Sequence, residues 1–480
     1  MAHTSIKQIK PGAHVHLMGI CGTAMASLAG LLKDRGYKVT GSDLNPYPPM
    51  STQIENLGIS IMRPYKPENL NPSPDFVIVG NVISANNPEA IEMVRKNLSY
   101  CSLPEAMGEI IIDNKKSFVI SGTHGKTTTT SLMSWVAECC ELKPGFLIGG
   151  IPKNFSQSFR NPAGDIFVIE GDEYDTAYFD KVPKFIHYKP FNVILTSVEF
   201  DHADIYKDFN EVKSAFNKLM HLIPENGSLV YWGDSEDVST LAKNCKAKKV
   251  FSYGKSQTSD YRCLISPEIG GITKFEVLFR GDSIGLFETP MVGDYNILNA
   301  TAVIAQSHIN NFPIDSVKKA LKAFAGVKRR QDILGEFSGV TIIEDFAHHP
   351  TAVKETVSAI QNKYSGKKVF SVFEPRSATS RRKVFQKDYV RAFAPADEVI
   401  IAKAFDQTKI SEDERFSTEE LVNDLVQSGK IANEFNSADE IVSYLSKKAE
   451  KNDIVLIMSN GGFDGIYDKL IQSLKIRDQK

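Results

Sequence analysis

Residues 122–128 read Gly-Thr-His-Gly-Lys-Thr-Thr, directly after the apolar run Ser117–Ser121 and directly before a helix-like stretch beginning near Thr127. A strand, a tight glycine turn and a helix start aim successive backbone N–H groups and the positive end of a helix dipole at one spot, where a polyphosphate can sit. Lys126 then reaches the β- and γ-phosphates and Thr127 holds the magnesium that bridges them, with Gly122, Thr123, His124, Gly125 and Thr128 forming the cradle. The usual spacing has a glycine at position 120; Ile120 is there instead, so the loop is a short variant opening at Gly122. An ordinary glycine turn is the plainer alternative, but Gly-Lys-Thr between a strand and a helix favours phosphate.

Two acidic clusters follow later strand-like runs. Glu170-Gly-Asp-Glu173-Tyr-Asp175 comes after Ile166–Ile169, and a carboxylate there can hold Mg²⁺, with Glu173 the first choice. Glu199-Phe-Asp201-His202-Ala-Asp204 comes after Val193–Thr196 and offers a second ligand set. His202 is an unusual partner for magnesium, which prefers oxygen, and alone it reads as a structural histidine. Two ions would let one neutralise β/γ oxygens and the other draw in an acidic acceptor. Asn296 and Asn299, three residues apart, share a helical face and suit either an adenine edge or helix packing. In Lys328-Arg329-Arg330 a guanidinium could meet a γ-phosphate, although a charge run is more often a solvated face. Asp345-Phe-Ala-His348-His349-Pro350, Glu374-Pro-Arg376-Ser377 and Asn460-Gly461-Gly462 each end a further apolar run, where α/β sheets bind ligands.

Apolar runs alternating with helix-like segments predict an α/β protein with mostly parallel sheets. At 480 residues the chain exceeds one comfortable core. Three blocks are expected: residues 1–113, a Rossmann-like unit; 114–326, carrying the phosphate loop; and 327–480, again Rossmann-like. The first opens with Val15–Met18, turns at Gly19-Ile-Cys-Gly22, runs through a helix to Arg35 and returns along Lys38–Gly41 to Asp43, where a ribose-binding acid is expected. Leu17 replaces the first glycine of that fingerprint, so the signal is weak for any one nucleotide. Phe76–Gly80 is a further strand, and Asn81–Pro88, including Ser84, can line a cleft. With 42% hydrophobic and 24% charged residues and a net charge of −2, the composition is that of a soluble globular enzyme, with no pull toward nucleic acid or membrane. The six cysteines lack metal spacing and read as reduced thiols of a cytoplasmic protein. The uncharged stretch Ala13–Leu32 holds three glycines and two histidines, so strand, turn and helix explain it better than a membrane span.

Taken in order, Gly-Thr-His-Gly-Lys-Thr-Thr, Glu-Gly-Asp-Glu, Asp-His-Ala-Asp, Gly-x-x-Asn-x-x-Asn-Ala, Arg-Arg and Asp-Phe-Ala-His-His-Pro resemble the Mur ligase family over essentially the whole chain. Gly-Asn-Val-Ile-Ser at 80–84, Gly-Gly-Ile-Pro-Lys-Asn-Phe at 149–155, Glu-Pro-Arg-Ser at 374–377 and Ser-Asn-Gly-Gly-Phe at 459–463 resemble its peptide-recycling branch. The resemblance implies a UDP-sugar domain, a central ATPase and a closing C-terminal domain. It implies that ATP phosphorylates the lactyl carboxylate of UDP-N-acetylmuramate, and that the amine of L-alanyl-γ-D-glutamyl-meso-diaminopimelate attacks the acyl phosphate. By that analogy Lys126, Arg330 and His348 serve catalysis; Thr127, Glu173 and His202 hold Mg²⁺; and Asn296, Asn299 and Asp345 face adenine and ribose. Gly19, Gly22, Thr23, Asp43 and Ser84 lie at the UDP-sugar, and Arg376, Ser377 and Asn460 at the peptide. Tyr295 stands where the family usually has histidine, and Phe216 where several members have a carbamylated lysine, so no carbamate is expected. A monomer or weak homodimer is expected. The rivals are ligation of L-alanine to the same sugar nucleotide, a nicotinamide-dependent oxidoreductase suggested by Gly19, Gly22 and Asp43, and a nucleotide-binding regulator without turnover.

Overall fold

The apolar runs of the sequence are buried strands, and their continuous hydrophobicity follows from sheets covered on both faces by helices. The structure is a computed structural model that describes residues 5–46, 48–266 and 271–477. Three sheets follow one another along the chain. The first is parallel, in the order Ile61–Met62, Lys38–Ser42, His14–Met18, Phe76–Val79, Tyr100–Ser102, so the chain reverses direction beside His14–Met18, where such sheets bind ligands. The second has ten strands. Its parallel centre pairs Lys116–Ser121 with Ile166–Gly171 on one side and Asn192–Leu195 on the other. Its far edge, Tyr261–Ile265, Thr273–Phe279 and Asp282–Thr289, is an antiparallel meander that the sequence pattern does not announce. The third sheet has six strands, with Ile454–Met458 between Val340–Asp345 and Val369–Phe373 in parallel register.

The three units are joined in two different ways. The first two share one apolar cluster, in which Leu28, Leu31 and Leu32 of helix Thr23–Asp34 pack with Leu147, Phe159 and Phe167. Polar bonds flank that seam: Ser27 and Ser158 hydroxyls lie 2.9 Å apart, and Asn161 Nδ2 donates to the Leu31 carbonyl at 3.0 Å. The third unit keeps its own two cores, one on each face of its sheet, and no apolar cluster among the described residues joins it to the others. It meets the central unit through Lys328 N–H to Ile151 O at 3.0 Å, a Lys153–Asp332 ion pair at 2.5 Å and the rings of Phe200 and Phe385, whose centroids lie 6.3 Å apart. The six cysteines are all free, three buried and three half-buried. Among the described residues no helix is long and apolar enough to cross a membrane.

Gly30 lies inside helix Thr23–Asp34, where glycine normally costs about 1 kcal/mol against alanine. A Cβ there would sit 2.0 Å from Cζ of Phe159, a ring that is 2% exposed. Gly30→Ala is therefore expected to lower the melting temperature, by overpacking worth about 1–3 kcal/mol, and adding Phe159→Leu is expected to restore it. A melting temperature raised by Gly30→Ala alone would show that the ring yields.

Candidate functional site

The phosphate loop is held open by its surroundings. Gly122 and Gly125 have φ of +129° and +82°, and Cβ atoms there would lie 2.2 Å from Thr196 Oγ1 and 2.6 Å from Asn299 Oδ1. Thr123 N–H donates to Ser197 O at 2.7 Å, His124 N–H to Ser197 Oγ at 3.0 Å, and Thr196 Oγ1 to His124 O at 2.6 Å. The strand-end segment that carries the second acidic cluster thus also shapes the loop. Lys126, the first residue of helix Lys126–Cys139, donates to Gly122 O at 2.7 Å and to Glu173 Oε2 at 3.1 Å. Burial opposes its charge, but Glu173 and Asp172 outweigh burial and raise its pKa.

The carboxylates divide the work differently from the simplest sequence reading. Thr127 Oγ1 donates to Glu170 Oε2 at 3.1 Å, whereas Glu173 faces Lys126 and, through its other oxygen, His202 Nε2 at 3.5 Å. Glu173 and His202 are thus brought together, and Thr127 adjoins Glu170 instead. Burial would raise the Glu173 pKa, yet Lys126 and His202 pull it down, and Glu173 in turn lifts His202 against its own burial. A hydroxyl and two carboxylates around one loop suit a hard cation, and Thr127, Glu170, Glu173 and His202 are the residues able to hold Mg²⁺. Phe216 is buried in the core against Phe185.

Opposite the loop, the adjacent Arg329 and Arg330 point apart. Arg330 lies over the Phe346 ring at 4.5 Å and reaches Thr127 Oγ1 at 3.3 Å, while Arg329 turns into the third unit, bonding Glu344 at 2.7 Å and Gly461 O at 2.6 Å. Asp345 accepts from the Gln331 and Ala347 amides, each at 2.7 Å. Gln331, which no motif marks, also donates to Tyr295 Oη at 2.8 Å and accepts from Asn296 Nδ2 at 3.4 Å, linking the asparagine helix to Asp345. The Nδ2 of Asn299 is buried without a partner among the described residues. His348 puts Nδ1 3.0 Å from the Phe346 carbonyl, which requires a proton on that nitrogen, and burial holds the ring's pKa down.

One cavity of about 1360 Å³ joins these parts, lined by Thr123–Thr128, Asn296, Asn299, Arg330, Asp345 and His348. Gly19, Gly22 and Thr23 of the first unit and Ser377 and Asn460 of the third also line it. Asp43, Ser84 and Arg376 do not line the cavity. Asp43 accepts the Cys21 amide at 3.0 Å and the Asn45 amide at 3.2 Å, so in this structure it shapes the glycine turn. Arg376 packs on Phe405 at 3.8 Å and pairs with Glu374 at 3.2 Å, and a Cβ on Gly461 would fall 2.1 Å from its Nε.

Sequence reasoning passed over the contacts that bridge the central and third units. Thr379 Oγ1 donates to Asp201 Oδ1 at 2.6 Å, and Thr351 Oγ1 to Glu199 Oε2 at 2.6 Å. The His124 and His349 rings lie 4.6 Å apart beside Glu199. Burial would raise the Glu199 pKa, but the hydrogen bonds and charge around it, His124 first, hold it well below 4.5, and burial keeps that of His349 low. Only the Asp-His spacing hinted at this region, and nothing in it pointed across the cleft.

Family models match nearly the whole chain: "Mur ligase family, catalytic domain" over residues 14–115, "Mur ligase middle domain" over 120–307 and "Mur ligase, glutamate ligase domain" over 329–461. The chain is 37% identical, across 96% of its length and 98% of the relative's, to the UDP-N-acetylmuramate--L-alanyl-gamma-D-glutamyl-meso-2,6-diaminoheptandioate ligase of Escherichia coli (strain K12). It is 32% identical, across 96% and 98%, to the UDP-N-acetylmuramate--L-alanine ligase of Clostridium tetani (strain Massachusetts / E88). Among solved structures, a murein peptide ligase from Psychrobacter arcticus 273-4 is similar with a TM-score of 0.73 at 31% identity, covering 97% of this chain and 99% of that one.

Because the folded pKa of Glu199 is depressed, its stabilisation is complete above the ordinary glutamate value of 4.5 and fades as pH falls through the lower folded value. Glu199→Gln is expected to cost about 1–3 kcal/mol in urea unfolding at pH 7, with the gap to the native protein narrowing below pH 4.5 and closing only as pH falls through about 2. A gap independent of pH would leave Glu199 with neutral hydrogen bonding alone.

Proposed function

This chain belongs to the Mur ligase family, and we propose that it is the ATP-dependent ligase joining L-alanyl-γ-D-glutamyl-meso-diaminopimelate to UDP-N-acetylmuramate, a cytoplasmic enzyme of peptidoglycan recycling. The observation that carries this reading is the convergence of the phosphate loop, the start of helix Thr23–Asp34 and the strand ends at Ser377 and Asn460 on one cavity. The choice of tripeptide over L-alanine is supported by the higher identity to the tripeptide ligase, 37% against 32% over comparable lengths. The family replaces the dehydrogenase reading of Gly19, Gly22 and Asp43.

In this reading the γ-phosphoryl group of ATP passes to a lactyl carboxylate oxygen, giving an acyl phosphate and ADP. The peptide amine then attacks the acyl carbon, and phosphate leaves as the amide forms. Positioning and charge supply most of the catalysis in such a transfer. Lys126 and Arg330 flank the loop where charge grows on the transferred group, and Asn296, Asn299 and Asp345 orient adenine and ribose. Mg²⁺, held by Thr127, Glu173 and His202, would offset the phosphate charge. His348, neutral and protonated on Nδ1, keeps Nε2 as an acceptor for the proton the amine must shed. Gly19, Gly22 and Thr23 face the UDP-sugar; Ser377 and Asn460, whose Oδ1 is buried without a partner among the described residues, face the peptide, with Arg376 beside them. The enzyme works as a monomer or weak homodimer.

The test is Mg-ATP-dependent ADP release with UDP-N-acetylmuramate, comparing tripeptide with L-alanine and confirming the product mass. Turnover with tripeptide alone is expected; turnover with L-alanine would move the chain to the biosynthetic activity. Lys126→Ala is expected to abolish ADP release while sparing UDP-sugar binding. Arg376→Ala is expected to raise KM for the peptide about 10- to 100-fold with little change for ATP, as the loss of a hydrogen bond between charged groups would. An unchanged peptide KM would remove Arg376 from the acceptor site.

A further inference from the structure

His124, Glu199 and His349 come from three segments and two units, and their ligand atoms all lie within 4.8 Å of one another. Glu199 Oε2 is 3.4 Å from His124 Nε2 and 3.6 Å from His349 Nδ1. Thr351 adds two bonds, its hydroxyl to the same Glu199 oxygen at 2.6 Å and its amide to His349 Nδ1 at 3.3 Å. His349 is 5% exposed, and its Nε2 lies 3.1 Å from the carbonyl oxygen of Phe200. A carbonyl only accepts, so Nε2 carries the ring proton and Nδ1 is a lone pair, which accepts the Thr351 amide and lies on the side of the Glu199 carboxylate. A cation among the three ligand atoms would take that lone pair in place of the amide and offset the carboxylate charge. In a tetrahedral site with bonds of about 2.1 Å, neighbouring donor atoms stand about 3.4 Å apart, which is the spacing found on both sides of Glu199.

We propose that His124, Glu199 and His349 form a binding site for a divalent transition-metal ion of the Zn²⁺ class. Two imidazoles and one carboxylate suit such an ion, whereas Mg²⁺ takes oxygen ligands. The Phe200 carbonyl fixes the tautomer of His349 from outside the ligand set, as metal-binding histidines require. All three residues line the central cavity, so the remaining coordination position opens there to water or a phosphate oxygen. The site is separate from the Glu173–His202 pair, and it joins the phosphate loop to the third unit. An ion bound there ties the two units together across the cleft.

The test uses metal-free, full-length protein titrated with Co²⁺ in excess Mg²⁺, following the visible absorption of the bound ion. One equivalent is expected to bind. Affinity is expected to fall at least about tenfold in His124→Ala, Glu199→Gln and His349→Ala, and to change less than about twofold in His202→Ala. Because His349 is buried and its variant can fail to fold, the half-exposed His124 is the deciding position, checked by circular dichroism. No visible band in the native protein, or a band that survives His124→Ala or vanishes in His202→Ala, overturns the proposal. The readout does not involve ligation, so its failure leaves the proposed activity untouched.

Discussion

The ammonium of Lys126 is largely enclosed, its side chain 13% exposed, and a charge so placed keeps its position only with partners. Glu173 at 3.1 Å and Asp172 at 3.9 Å supply them, and each is held in turn: Asp172 by Lys184 at 3.0 Å and Glu173 by His202 at 3.5 Å. The residue before His202, Asp201, accepts from Thr379 of the third unit. A chain of alternating charges and hydrogen bonds therefore runs from the phosphate loop through two strand ends to the opposite wall of the cavity. The loop, the acidic strand ends and the third unit thus share one electrostatic network.

That network lies on the more polar of the two seams. The first and central units share leucines and phenylalanines in one core, so separating them would expose apolar surface. The third unit is docked mainly by ion pairs and hydrogen bonds, together with the ring contact of Phe200 and Phe385. The turn from Gly326 to Gln331 joins the central and third units, and Gly326, Arg329 and Gln331 in it all have positive φ, of +85°, +64° and +48°. Arg330 sits in this turn, so the connection between the two units carries the guanidinium that meets the loop.

Much of this was legible in the sequence wherever backbone and chemistry coincide. A parallel strand buried on both faces must be a continuous apolar run, and its carboxyl end must be polar if it meets a ligand; Ser117–Ser121, Val340–Glu344 and Ile454–Met458 declare themselves in both ways. The meander from Tyr261 to Thr289 was not legible, since half-exposed antiparallel strands such as Asp282–Thr289 mix polar and apolar residues. Within the site, cavity-lining residues that belong to a motif of their own, such as Lys126, Asn296 and Asp345, were legible. Gln331, Thr351 and Thr379 were not, because each works by meeting a residue more than a dozen positions away, and neither glutamine nor threonine carries a spacing that points anywhere. The divergence of Arg329 and Arg330 is of the same kind: a positive φ at Arg329 turns neighbouring side chains to opposite sides, and no periodicity foretells it.

The glycine at 461 gives Arg376 its berth. Arg376 occupies the volume that any side chain at 461 would fill, while Phe405 supports it from the other side. Its direction is thus written in three separate stretches of chain. Transplanting Glu374–Ser377 into a relative that carries a larger residue opposite would move the letters of the motif without its meaning, since the guanidinium would be pushed off its bed. On this geometry the direction of Arg376 is shared among separate strand ends, and any change at 461 must clear the space before it can turn the guanidinium.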